Sequence, residues 1–213
     1  MSKWSDQIGR DIEAHRSSQS EITTERLTGK ALEQILVARH NEYKQANLAS
    51  IGRYGVQCTQ IGPNRSDIVQ IKSLPDFEGL KREKHYEFGR HVIFDSKACS
   101  QASFNLNEYR KESKGSKRRQ LTHMLARSEY GAICFFLIHW NDRKLATKHE
   151  PPETFAFWIH SDSDFWLSFE AGEIKSFNRR HCVDYGTPIV WNRLGRARTS
   201  RPDWLAATAN FPF

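Results

Sequence analysis

The chain has 213 residues, enough for one domain with arms at its ends, and its 32 Lys and Arg outnumber 25 Asp and Glu for a net charge of +7. That excess biases its partners toward polyanions, while 38% hydrophobic residues, including 13 Phe, 6 Tyr and 6 Trp, can fill a core and argue against a disordered basic chain. The longest apolar stretch, Ala132 to Ile138, is far too short for a bilayer, and Met1 to Glu21 lacks the apolar segment of a secretory signal. Cys58, Cys99, Cys134 and Cys182 form no C-x-x-C pair and no zinc-finger spacing. A cytoplasmic protein with reduced cysteines and no membrane partner is expected.

Residues 1–24 are polar and read as a flexible arm. Leu27, Ala31, Leu32, Ile35, Leu36, Tyr43 and Ala46 recur at helical spacing and predict an amphipathic helix from Leu27 to Leu48. Ile51 to Ile61 is β-prone, Gly62-Pro63-Asn64-Arg65 is a turn signal, and Ile68 to Ile71 reads as a returning strand, so a hairpin or projecting loop follows. Pro75 to Leu80 and Arg90 to Cys99 read as antiparallel neighbours. The second is apolar on successive positions at Val92, Ile93 and Phe94, as a strand covered on both faces must be. A basic run, Arg110, Lys111, Lys114, Lys117, Arg118 and Arg119, leads into a helix from Gln120 to Ser128. Ala132 to Ile138 and Thr154 to Ile159 read as buried strands, and Ser161 to Phe169 as a short helix with Ser161 or Asp162 at its N-cap. Residues 186–213 read as a basic C-terminal tail. This order implies an α/β fold, a mixed sheet flanked by helices.

The chemistry concentrates at the central strands. Asp76 opens the first, and Asp95 and Lys97 lie two apart on the next, hence on one face, where strand pairing can bring Asp76 alongside them. Unpaired charge in a buried sheet is costly. Mg²⁺ would compensate it, since it takes carboxylate oxygens, keeps waters and is completed by substrate phosphates, and it assists hydrolysis by activating water and stabilising a departing 3′ oxygen. Lys97 is sited to orient the attacking water or to balance charge at phosphorus. Glu33, at the edge of the first helix's apolar face, is expected to reach the cluster as an outer metal ligand. Gln120 is expected to position a water or phosphate from the start of the second helix. No phosphate-cradling glycine loop, G-x-S-x-G elbow or cysteine beside a base gives another enzyme class a foothold.

Pro75-Asp76 with Asp95-Ser96-Lys97 is similar to the PD-(D/E)XK nuclease signature, and its surroundings resemble one branch, the RecU family of Holliday junction resolvases. The blocks that carry the resemblance are Gly29 to Tyr43, Asp76-Phe77-Glu78-Gly79, Phe94 to Ala98, Ser103 to Leu106, Gln120 to Met124 and Gly131 to Phe136, and more loosely Phe155 to Phe177. The resemblance implies a restriction-endonuclease-like core over residues 25–185. It also implies a homodimeric endonuclease, dependent on Mg²⁺ with Mn²⁺ able to substitute, that makes paired nicks in four-way DNA junctions during recombination and repair. It points to Asp76, Asp95 and Lys97 as the active-site trio, to Asp76, Asp95 and Glu33 as metal ligands, and to Gln120 as a helper.

Two departures stand out. The second acid is Asp95 where relatives usually carry Glu, and the stretch Cys58 to Leu74, in the place of the stalk inserted into the junction centre, is shorter. The shorter stalk keeps open a superfamily nuclease acting on other branched or duplex DNA, and a non-catalytic DNA-binding module of the same fold is the other alternative. Lys114, Lys117, Arg118 and Arg119 are expected on phosphates, as are Arg193, Arg196 and Arg198 of the tail, where Trp191 and Trp204 either stack on bases or anchor it to the core. Arg65 and Lys72 are expected at the junction centre. Such contacts predict structure-selective rather than base-specific cutting.

Overall fold

The computed structural model describes residues 26–54, 57–60, 68–71, 74–83, 86–110, 115–145, 147–194 and 199–209. The N-terminal arm and Arg65, Lys72, Lys114, Arg196 and Arg198 therefore lie outside the described residues.

Helix α1 (Gly29–Gln45) starts where the Thr28 side chain accepts from Ala31 N, and it buries Leu32, Leu36 and Tyr43. Strand β1 (Ala49–Arg53) follows, then β2 (Gln57–Gln60) and β3 (Ile68–Ile71), which pair antiparallel as the expected hairpin. Strands β4 (Phe77–Glu83), β5 (Tyr86–Cys99) and β6 (Ser103–Asn105) come next, then a 3₁₀ turn at Asn107–Tyr109 and helix α2 (Ser116–Glu129). Strand β7 (Ile133–Trp140), the short pair β8 (Arg143–Lys144) and β9 (His149–Glu150), strand β10 (Glu153–Trp158) and helix α3 (Asp164–Glu170) continue the chain. It closes with β11 (Ser176–Asn178), α4 (Arg179–Tyr185), β12 (Gly186–Pro188), β13 (Trp191–Asn192), β14 (Arg201–Pro202) and α5 (Trp204–Thr208).

The main sheet has six strands in the order β1-β4-β5-β7-β10-β12. Its β5–β7 pair is parallel and the other pairs are antiparallel, so the sheet is mixed as expected. Side-chain alternation along the central strands divides the core in two. Val92, Phe94, Ile133, Phe135 and Leu137 pack with Leu32 and Leu36 of α1 and Trp204 of α5. Ile93, Cys134, Phe136 and Ile138 pack with Leu121 and Met124 of α2 and with Phe165 and Trp166 of α3. Every residue of β7 is buried, which explains its unbroken apolar run. Gly79 is required where β4 meets β1, because a Cβ there would lie 2.1 Å from the Ser50 carbonyl oxygen.

Three boundaries differ from expectation. Helix α2 begins at Ser116 rather than Gln120, since its first turn holds Lys117, Arg118 and Arg119 and shows no apolar spacing. Helix α3 starts after Ser163, not after Ser161 or Asp162. The boundary drawn at residue 185 falls inside the packed domain. Strand β12 extends the main sheet, and Ile189 and Trp204 are 0% exposed. Buried Trp191 and Trp204 thus anchor the C-terminal segment rather than face a ligand. The free cysteines among the described residues are Cys99, Cys134 and Cys182, and no described helix is long and apolar enough to cross a membrane.

Candidate active site

The β4–β5 ladder ends at the pair Phe77 and Phe94, and Asp76 stands one residue beyond. There the Asp76 carboxylate replaces the ladder: its Oδ2 accepts from Ser96 N and from Ser96 Oγ, both at 2.8 Å. The Asp76 carbonyl accepts from Tyr54 N at 2.9 Å, and the Leu74 carbonyl accepts from Gln120 Nε2 at 2.8 Å. The Pro75-Asp76 turn is thereby tied to the end of β1, to β5 and to α2.

Residues opposite one another in an antiparallel pair share a face, so position 76 lies on the side of Asp95 and Lys97, the α2 side of the sheet. Asp95 is 0% exposed and its Oδ2 forms an ion pair with the Lys97 ammonium. Its Oδ1 has no hydrogen-bond partner among the described residues. Burial, only partly offset by the Lys97 ammonium and reinforced by the Asp76 carboxylate, pushes the Asp95 carboxyl up to about 7. Burial alone would favour neutral Lys97, but the Asp95 carboxylate outweighs it and holds the ammonium above the usual lysine range. Two acids thus crowd one cation.

A fourth side chain reaches this face from the 3₁₀ turn. Tyr109 is 1% exposed, and its ring meets Phe136, the register partner of Asp95, edge-on at a centroid distance of 5.6 Å. Its hydroxyl lies beside the Lys97 ammonium, which can only donate to it, so the phenol proton finds no acceptor among the described residues. Burial, partly offset by that ammonium, pushes the phenol up to about 12, so it keeps its proton at neutral pH. A lone tyrosine in a turn carries no spacing signal, which is why sequence reasoning passes over it.

The donor set suits a hard cation. Carboxylate oxygens, one of them buried and unanswered, are what Mg²⁺ or Mn²⁺ takes. No group of three His, Cys, Asp or Glu gathers as a cation cage among the described residues, so such an ion would keep waters or substrate oxygens in its shell.

The other expected site residues divide. Helix α1, which carries Glu33, packs on the other face of the sheet from Asp95 and Lys97, and the Glu33 carboxylate pairs with Arg53 at the end of β1. Gln120 sits a full turn inside α2, where backbone amides are already bonded, so it holds the Leu74 carbonyl and does not belong to an anion-binding helix start. Arg118 turns inward, pairing with Glu170 at 2.6 Å and donating to the Tyr109 carbonyl at 3.0 Å, so it is not available to phosphate. Lys117 forms a solvent-facing pair with Glu108 at 2.8 Å. Arg119 and Arg193 are exposed.

Residues 27–192 match the sequence family RecU, recombination protein U. The chain belongs to that family. The match includes Glu33, Asp76, Asp95, Lys97, Tyr109 and Gln120, and with it this RecU protein is a recombination protein of the restriction-endonuclease-like fold. Among curated proteins no relative matches.

Proposed function

We propose that this RecU family member is a cytoplasmic, homodimeric, Mg²⁺-dependent endonuclease that resolves four-way DNA junctions by paired nicks. The observation that carries the reading is the gathering of Asp76, Asp95 and Lys97 at the end of the β4–β5 ladder, with a buried carboxylate oxygen left unanswered. Asp76 and Asp95 are the residues that would hold the cation, which when bound activates water and stabilises the departing 3′ oxygen.

The rest falls to the chain itself. Ser96, Tyr54 and Gln120 keep Asp76 in one place, so little reorganisation is needed at the moment of reaction. Lys97, kept charged by Asp95, orients the attacking water or balances charge at phosphorus. Phe136 and the Tyr109 ring wall the site, and a drier site strengthens each of these interactions. Arg119, on the first turn of α2, and Lys117 beside it supply phosphate contacts that position the duplex without reading its sequence. A junction offers two equivalent strands, and a two-fold dimer meets both at once.

The hairpin strands β2 and β3 have only four residues each, which favours action on other branched DNA as the second reading. A gel panel of four-way, three-way and linear DNA in Mg²⁺ separates the two. The expected result is symmetric nicking of the four-way junction with little cutting of linear duplex. Equal cutting of linear duplex removes the resolvase reading, and retained binding with no cutting in either Mg²⁺ or Mn²⁺ leaves a non-catalytic module.

A further inference from the structure

We infer that Tyr109 is a further catalytic residue, its hydroxyl donating to a non-bridging oxygen of the phosphodiester being cut, beside Lys97. The inference rests on the nuclease reading and names how the same site grips its substrate.

A buried hydroxyl whose proton has no acceptor is costly, and phenylalanine would fill the same space without that cost. Tyr109 Oη is such a group, and Asp95 Oδ1 on the same face is a buried acceptor without a partner among the described residues. Lys97 is ion-paired with Asp95, and its ammonium also faces the phenol oxygen, which leaves the phenol proton without an acceptor among the described residues. Both atoms therefore lie on one face of the sheet, flanking the space around the Lys97 ammonium.

The chemistry of that space indicates which atom fills it. An ammonium and a protonated phenol are both donors, and two converging donors suit an anionic oxygen. The phenol oxygen can also accept, but its lone pair faces the Lys97 donor, which leaves the O–H to point at an anionic oxygen. In the balanced reaction the water oxygen bonds to phosphorus and the bond to the 3′ oxygen breaks. One water proton finishes on that oxygen, giving a 5′-phosphate and a 3′-hydroxyl. Tyr109 loses no proton in this sequence; it stabilises the negative charge that builds on the non-bridging oxygen.

The residue is also held in place. Its amide donates to the Leu106 carbonyl at 2.9 Å, and its own carbonyl accepts from Arg118 at 3.0 Å, with Arg118 fixed in turn by Glu170. The ring packs against Phe136 and lies 6.5 Å from the Phe104 ring. A donor so constrained needs little reordering as charge develops.

The test compares wild type with Tyr109→Phe, which keeps the ring and its packing. Single-turnover cleavage of a four-way junction in Mg²⁺ should fall about 10²-fold. Junction affinity in Ca²⁺ should stay unchanged, and the melting temperature of the metal-free protein should not fall, because the variant removes a buried donor that has no acceptor among the described residues. With sulfur in place of each non-bridging oxygen in turn, one diastereomer should slow the wild type more than it slows Tyr109→Phe. Cleavage by Tyr109→Phe within about twofold of wild type, or equal sulfur effects in the two proteins, overturns the Tyr109 assignment alone. A wild type that cuts no DNA overturns the nuclease reading, and this inference with it.

Discussion

Two buried polar clusters lie on opposite faces of the same sheet, and they differ in charge balance. On the α1 face, Arg39 is 0% exposed and its Nη2 donates to the Asn192 carbonyl at 2.5 Å, to Asn192 Oδ1 at 2.8 Å and to the Arg201 carbonyl at 2.6 Å. Its Nη1 pairs with Glu42 at 3.1 Å, Arg201 also pairs with Glu42, and Asp203 accepts from Tyr43 at 2.7 Å and from Asn192 at 2.8 Å. Two arginines there face two acids. On the α2 face, Asp76 and Asp95 face Lys97 alone, and burial pushes Asp95 up to about 7. The first cluster is balanced in charge and pins the C-terminal segment to the core, although Arg39 Nε is left without a hydrogen-bond partner among the described residues. The second sets two carboxylates against one cation, an excess of negative charge that supports the proposal of a divalent metal there.

The contrast can be broken most severely at Arg39. Arg39→Met strands buried polar partners, and urea denaturation should show a loss of about 3–5 kcal/mol, with cleavage per folded molecule unchanged. Next in size is a comparison within one helical turn. Arg118→Ala removes an inward cation and should cost about 1–3 kcal/mol of stability, because Glu170 and the Tyr109 carbonyl lose their partner.

At Asp95 the sign reverses. Its carboxyl titrates near 7 in the fold against an ordinary value of 3.8, so the unfolded chain releases the proton first. This contribution to stability is complete below pH 4 and is lost as pH rises through 7. Asp95→Asn should therefore raise the melting temperature of the metal-free protein at neutral pH by about 2–5 °C and flatten its decline with pH, as thermal scans across buffers would record. The smallest effect belongs to outward-facing Arg119. Arg119→Ala should leave stability alone and lower the salt slope of junction binding by about one unit.

How far these features can be read from sequence follows from what each rests on. Helix α1 is legible because Leu32, Leu36 and Tyr43 repeat at helical spacing, and β7 because its run is apolar on both faces. Asp76, Asp95 and Lys97 are legible because strand alternation and pairing dictate which side chains share a face. The start of α2 is not, since a first turn of lysine and arginine looks like a loop. The C-terminal segment misleads for a similar reason. Its anchors, Ile189, Trp191 and Trp204, are few among arginines, and its clamp on Arg39 joins residues far apart in the chain. Glu33 turning to Arg53, Gln120 reaching Leu74 and Tyr109 facing Lys97 are tertiary contacts with no periodic trace in the sequence.

The central claim is that Asp76 and Asp95 act together to place a divalent cation for DNA cleavage. Its most direct test is the cutting of a four-way junction in Mg²⁺ by wild type, Asp76→Ala and Asp95→Ala at equal bound fraction. The account predicts paired nicks by the wild type and a loss of about 10³-fold or more in each variant, with junction binding retained. Cleavage by either variant at a rate close to the wild type's would contradict it.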